Sequence, residues 1–187
     1  MPKPLHVTFT AGDAGAWRID RVLPVIGEAL PAAARLAVRE AEALQADAPG
    51  PDAAWRLRAT TSNTRYTHRA EVAAMGARQE GLGRPRASRA ALIPIRKSEA
   101  WWALAQDERR AVFEEQSRHI GIGMDYLPAI ARRLHHSREL GEPFDFLTWF
   151  EFAPEDEPAF DAMLARLRAT PEWTYVDREV DIRLRRD

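Results

Sequence analysis

Cysteine is missing altogether from this 187-residue chain. That excludes disulfides, thiolate metal ligands, iron–sulfur clusters and a cysteine nucleophile. A surplus of one charge is missing too: 27 Lys and Arg stand against 28 Asp and Glu, a net charge of −1, with an isoelectric point near 6.5. The basic residues are interspersed with acidic ones rather than gathered in a patch, so no nucleic-acid surface is indicated. Nothing reads as a membrane segment. The start, MPKPLHVTFTAGDAG, has no apolar core behind a basic stretch and does not read as a secretory leader. A soluble cytoplasmic protein is expected, of one domain or two small half-domains sharing a core.

What is present alternates strands and helices. PLHVTF (4–9) reads as a strand. A helical stretch is expected from about Asp20 to Gln45, although Pro24 and Pro31 argue against one unbroken helix. APGPD (48–52) is a turn, and AWRLRAT (54–60) alternates as a half-buried strand does. Residues 68–80 read as helix, 81–88 as loop and 89–96 as strand. Ser98 suits the cap of a long helix over 99–120, with Ala105, Val112 and His119 on one stripe. A second short helix is expected over Tyr126–Arg133.

FDFLTWFEF (144–152) is the clearest strand. Phe144, Phe146, Thr148, Phe150 and Phe152 share one face and Leu147 and Trp149 the other, so it is covered on both sides. Pro154, Glu155 and Asp156 open a helix with Phe160, Met163, Leu164 and Leu167 at helical spacing. The last strand, TYVDREVDIRL, presents Val176, Val180, Ile182 and Leu184 together. These blocks suggest an α+β fold, sheet on one side and helices on the other.

Three residues carry the chemistry. His119 ends a predicted helix, Arg132 follows thirteen positions later, and Glu172 fifty-three positions after His119. A carboxylate that fixes the second ring nitrogen of a histidine makes a strong axial ligand for a metal or haem iron, and a nearby arginine can hold a small anion. By residue type alone each has a plainer reading. Helix-end histidines are more often structural, most arginines extend to water, and a glutamate after Pro171 suits a solvated turn. Of Trp101 and Trp102 only one can face a site, because neighbours on a helix diverge by about 100°. His135 and His136 compete as ligands but sit beside a predicted strand start, and His6 and His68 read as surface residues.

SNTRY (62–66), GLGR (81–84), LIPIRKS (92–98) followed by WW, HI at 119–120, YLPAIARRLHHSRELGEPFDFLTWFE (126–151) and EWTYVDREVDIRL (172–184) occur in order. Together they resemble the chlorite dismutases, haem b enzymes that turn chlorite into chloride and dioxygen. The likeness covers roughly Asn63 to Leu184 and is to the short-chain branch. It implies a ferredoxin-like dimeric α+β barrel of two halves, the first abbreviated (about 1–85) and the second haem-binding (about 86–187), assembled as a homodimer.

Carried over by position, the resemblance implies one haem b per subunit with His119 as iron ligand and Arg132 as the mobile arginine that meets chlorite. It implies Glu172 as acceptor of the ligand's outer N–H and Lys97 as the lysine linked to it. Trp101, Thr148 and Phe150 match pocket residues, and Asn63 and Tyr66 match a segment near the propionates. Without cysteine, haem is held by His119 and packing alone. Arg132 is expected to orient chlorite and retain hypochlorite until the O–O bond forms.

The related coproheme decarboxylases resemble this family but carry a reactive tyrosine where Ile93 stands and usually glutamine where Arg132 stands, so both positions favour chlorite. Other readings are a haem-binding or stress protein without turnover and a cofactor-free oxygenase of related fold. No distal histidine is evident, so peroxidase activity is expected to be poor.

Overall fold

In β1 (His6–Gly12) burial alternates strictly, with Val7, Phe9 and Ala11 buried. A period of two sends such residues to one face, and here that face is the inside of a closed barrel. The computed structural model describes residues 4–42, 52–61 and 66–187. β2 (Trp17–Ile26), β3 (Arg35–Ala41), β4 (Trp55–Thr61), β5 (Arg89–Lys97), β6 (Ala131–His136), β7 (Phe146–Phe152) and β8 (Val176–Arg186) complete the sheet. All neighbours are antiparallel, in the order β1-β3-β2-β8-β5-β7-β6-β4. Closure leaves no long free edge. Each set of four strands follows one order, fourth-first-third-second: β4-β1-β3-β2, then β8-β5-β7-β6.

Two apolar layers result. The barrel interior holds Phe9, Trp17, Leu36, Leu57, Leu92, Leu147, Trp149, Val180 and Ile182. The outer face of β5 and β7 supplies Ile93, Ile95, Phe150 and Phe152 to a second cluster. Its cover is the helix Glu157–Arg168 (α5), whose Phe160, Met163, Leu164 and Leu167 are buried. Phe160 stacks on Phe152 with ring centroids 4.6 Å apart. Burying each such side chain is worth about 1.5–3 kcal/mol, enough to fix α5 on the sheet.

The remaining helices are α1 (Arg69–Arg78), α2 (Glu99–Ala103), α3 (Gln106–Arg110) and α4 (His119–Asp125). Three of them, α2 to α4, fill the β5–β6 connection and α5 the β7–β8 connection, whereas β1 and β2 are joined by residues 13–16 alone.

Several expectations are corrected. Residues 20–41 are not helical: 20–26 lie in β2, 35–41 form β3 and 27–34 connect them, while 43–45 fall outside the described residues. Pro24 cannot sit in a helix interior, but β2 accommodates it beside a register irregularity between Pro24 and Ile26. The helix expected over 99–120 is broken at Leu104 and Ala105, both extended, and again at Arg118, which is left-handed at φ 52. A π-helical turn, Ala111–Gln116, lies between. His119 therefore opens a helix rather than ending one.

The helix expected over 126–133 is also absent. Pro128 interrupts the segment, and Arg132 lies on strand β6 opposite Phe150. His135 and His136 close that strand instead of preceding one. Phe144 stands outside β7 and packs in the barrel interior, while Val176 joins the outer cluster, its face displaced by the irregularity between Arg96 and Lys97. The sheet is not covered on one side only; it wraps around its own core with helices outside. The turn expected at 48–52 falls, except for Asp52, outside the described residues, as does Asn63.

Gly15 tests the closure. At φ +143 it lies so close to β3 that an added Cβ would stand 2.2 Å from the Leu36 carbonyl carbon. Gly15→Ala is expected to cost about 1–3 kcal/mol or more, read as a lower urea midpoint with unchanged slope.

Candidate functional site

β5 carries Ile95 and Lys97 on its outer face, and β7 carries Phe146 and Thr148. Beyond the reach of α5 these side chains are covered instead by α1, α2 and α4, leaving a cavity of about 540 Å³ between helices and sheet. Lys97, His119 and Glu172 meet on its wall. The His119 Nδ1 lies 2.6 Å from Glu172 Oε2, and Lys97 Nζ donates to Glu172 Oε1 at 2.7 Å. Both Lys97 and Glu172 are buried.

An ionised carboxylate only accepts, so Nδ1 carries the proton, and when the ring is neutral Nε2 keeps the lone pair. Among the described residues Nε2 has no protein hydrogen-bond partner. Burial pushes the Glu172 carboxyl up, but the charges and hydrogen bonds of His119 and Lys97 outweigh it and hold the group at about 2.

Local sequence explains how these groups converge. The left-handed turn at Arg118 restarts the chain as α4, whose first free N–H groups at Ile120 and Gly121 donate to Glu114. Ser117 Oγ accepts from the backbone N–H of Glu172 at 2.9 Å. Phe113 stacks on the His119 ring at 4.5 Å and Trp173 lies parallel to it at 6.3 Å. Lys97 Nζ sits 4.5 Å from the centre of the Trp101 ring. Glu179 fixes Trp173 by accepting from its Nε1 at 2.7 Å, and Arg168 in turn donates to Glu179.

Arg132 enters the same cavity from β6. No carboxylate of the described residues forms an ion pair with it. Its guanidinium instead meets Met75 Sδ at 3.4 Å and packs over Gly123 of α4, where a Cβ would come within 2.7 Å of Nη1. Burial draws its pKa below the usual value, partly offset by Glu114, yet a guanidinium stays charged. The site thus offers one uncompensated cation, one imidazole lone pair and largely apolar walls.

Of the residues selected from sequence, His119, Arg132, Glu172, Lys97, Trp101, Tyr66 and Thr148 all line this cavity. Ile93 and Phe150 do not. They lie under α5 in the second apolar cluster, because the cavity begins only where α5 no longer covers the strands. Trp102 turns away, its ring under Arg138 at 4.0 Å. Ser117, Phe113, Trp173 and Gly123 escaped sequence reading. The one available signal was the spacing of His119 and Gly123, four apart and hence on one face of a helix. His136 also lines the cavity and His135 does not. His6, read as a surface residue, has a buried Nδ1 without a partner.

The fold and site define an α+β barrel with an imidazole-bearing cavity on its outer face. The family model described as chlorite dismutase matches residues 49–185, and the chain belongs to the chlorite dismutase family. It is 57% identical to a dimeric chlorite dismutase from Nitrobacter winogradskyi, with 97% of this chain and 99% of that one covered and a TM-score of 0.88. A mutant chlorite dismutase from Candidatus Nitrospira defluvii shares the fold at a TM-score of 0.70 and 19% identity, covering 98% of this chain and 91% of that one. The chlorite dismutase of Ideonella dechloratans is 33% identical over 84 residues, 45% of this chain but 27% of that protein's length.

The low pKa of Glu172 has a pH signature. Its carboxyl stands at about 2 in the fold against an ordinary 4.5. Its ionisation therefore stabilises the protein above about pH 4.5, and that contribution is lost as pH falls towards 2. Glu172→Gln removes the titrating group. The stability gap between wild type and variant, from urea midpoints, is expected to shrink steadily across that window; a constant gap would refute the assignment.

Proposed function

We propose that this chain binds haem b in the outer cavity through His119 Nε2 and decomposes chlorite to chloride and dioxygen. The observation that carries this reading is the Lys97–Glu172–His119 chain, which presents an imidazole lone pair in a cavity that also holds a cation without a counter-ion.

The residues present fit a haem. A volume of about 540 Å³ falls within the ~300–1,000 Å³ of cofactor sites. No group of three or more His, Asp or Glu among the described residues could hold a bare metal ion; a single imidazole suits iron that arrives inside a macrocycle. The Trp101 Nε1 is buried without a partner, leaving a donor for an oxygen of the cofactor. When bound, haem supplies the redox chemistry by which both oxygen atoms of chlorite leave as dioxygen.

The protein supplies the rest. Glu172 keeps the His119 proton on Nδ1 and adds anionic character to the ring, which strengthens it as a ligand. Lys97 neutralises Glu172, so the carboxylate remains ionised although buried. Arg132 binds the chlorite monoanion and any hypochlorite derived from it, and the apolar walls keep both from exchanging with water. No base is required, since chlorite brings no proton. Coproheme decarboxylation is disfavoured: Ile93 has no oxidisable ring and is buried away from the cavity.

The strand order repeated in each half supports two ferredoxin-like halves, the first without helices between β1 and β2. With the dimeric Nitrobacter protein as relative, we read the working form as a homodimer.

Haem-loaded protein in a Clark cell is expected to release one dioxygen per chlorite; no gas from a sample with a normal Soret band would refute the activity. His119→Ala is expected to lose stable haem binding. Arg132→Ala should keep haem but turn over more slowly and release more hypochlorite to a chemical trap. Unchanged turnover and unchanged trapping would remove the retaining role from Arg132. Gly123→Ala, which crowds the guanidinium, is expected to raise KM with little change in the urea midpoint.

A further inference from the structure

Strand β6 separates two cavities. Arg132, Leu134 and His136 line the one already described, His135 lines only the other, and Arg133 reaches both. The second cavity lies inside the barrel, where β5 begins and β7 ends, and measures about 400 Å³. It is much larger than the gaps ordinary packing leaves: an apolar cavity of about 150 Å³ already stays dry and admits benzene.

Its walls are aromatic. Phe9, Trp17 and Trp149 contribute, with Trp149 at 5.9 Å from Phe9 and 5.3 Å, near-perpendicular, from Trp17. Their polar edges are partly committed. Trp149 Nε1 donates to Glu151, which also accepts from the Gly83 N–H at 2.6 Å. An ion pair between Arg133 and Glu40, both partly exposed, stands at the rim.

His135 is the exception. It is 2% exposed, and its Nδ1 lies 2.9 Å from the Leu147 carbonyl oxygen. A carbonyl only accepts, so Nδ1 carries the proton and Nε2 is left as an acceptor. Nε2 has no protein partner among the described residues. Burial also holds this imidazole's pKa down, at about 4, so it is neutral at physiological pH. This acceptor faces the cavity, where a ligand donor could replace water, and nothing in the proposed chlorite chemistry uses it.

We propose that the barrel cavity is a second binding site, for a small planar aromatic molecule that carries one hydrogen-bond donor, with His135 Nε2 as its acceptor and the Phe9, Trp17 and Trp149 rings around it. The size and the single free acceptor select a phenol- or indole-sized ligand. Carboxylate-bearing molecules are disfavoured, because they would bring an anion beside Glu151 and an imidazole lone pair. The site stands apart from the haem reading and does not require it.

The probes are phenol and anisole, which differ in the donor, titrated against the haem-loaded protein by saturation-transfer NMR. Phenol is expected to saturate and to bind about tenfold more tightly than anisole, the worth of one such hydrogen bond. His135→Phe should abolish that preference. Val38→Trp, which places an indole into the cavity from β3, should abolish phenol binding while leaving oxygen evolution from chlorite intact. Should His135→Phe fail to fold, Val38→Trp decides alone. No saturable phenol signal in wild type, equal affinity for the two probes, or phenol binding that survives Val38→Trp would each overturn the proposal.

Discussion

Glu172 is buried between Lys97 Nζ and the His119 ring, and the cavity keeps its chemistry only while that carboxylate is ionised. Taking one charge out of water costs several kcal/mol, and mutual attraction offsets this only when geometry is good and the remaining lone pairs are used. Here both carboxylate oxygens are engaged at 2.7 and 2.6 Å. The backbone N–H of the same residue is held by Ser117. A protonated Glu172 would release the Nδ1 proton from its only fixed acceptor and free the ring to turn or change tautomer. The imidazole lone pair is thus a property of the whole chain of contacts rather than of His119 itself.

The sheet makes this possible because its strands work on both sides. Along β7, Leu147 and Trp149 fill the barrel while Phe146 and Thr148 line the outer cavity, and Phe150 and Phe152 anchor α5. β5 does the same with Leu92 inside and Ile93, Ile95 and Lys97 outside. A one-residue slip would exchange these faces completely. The packing that stabilises the barrel therefore also fixes which side chains reach the site. In the helical connection between β5 and β6 the π-helical turn and the left-handed Arg118 aim His119.

How far the sequence could be read depended on whether local signals agreed with tertiary ones. FDFLTWFEF and the Phe160 helix were legible because period and cover coincide: strands and helices with strong, matching patterns declare themselves. Residues 20–41 were not, because the apolar residues of β2 and β3 are sparse enough to fit a helical spacing, and only pairing with β8 and β1 settles them as strand. Arg132 was found by resemblance yet placed on the wrong element, since nothing local tells a short strand before HHS from a short helix. Ser117 and Trp173 were invisible. Ser117 acts through Glu172 and Trp173 through His119, each pair far apart along the chain. The identity of Ile93 was legible and its position was not, because where α5 ends over the sheet cannot be counted from spacing.

Arg132 is the costliest element of the site and the most informative. Its guanidinium lies in a largely apolar cavity against a thioether and a glycine, whereas other arginines, such as Arg168 on α5 and Arg183 on β8, are paired with carboxylates. A half-buried cation in apolar surroundings without a counter-ion is destabilising unless something supplies the missing charge. Among the described residues the cavity has no free carboxylate to do so, because Glu172 is fully engaged by Lys97 and His119. A small anion entering the cavity would complete the pairing. That fits the proposed reading of Arg132 as an anion-binding residue, and a planar fork of donors meets an oxyanion better than the single ammonium of a lysine. The two halves of the site are therefore linked through charge: Lys97 and His119 satisfy Glu172, and in doing so leave the Arg132 charge for the anion of the proposed reaction.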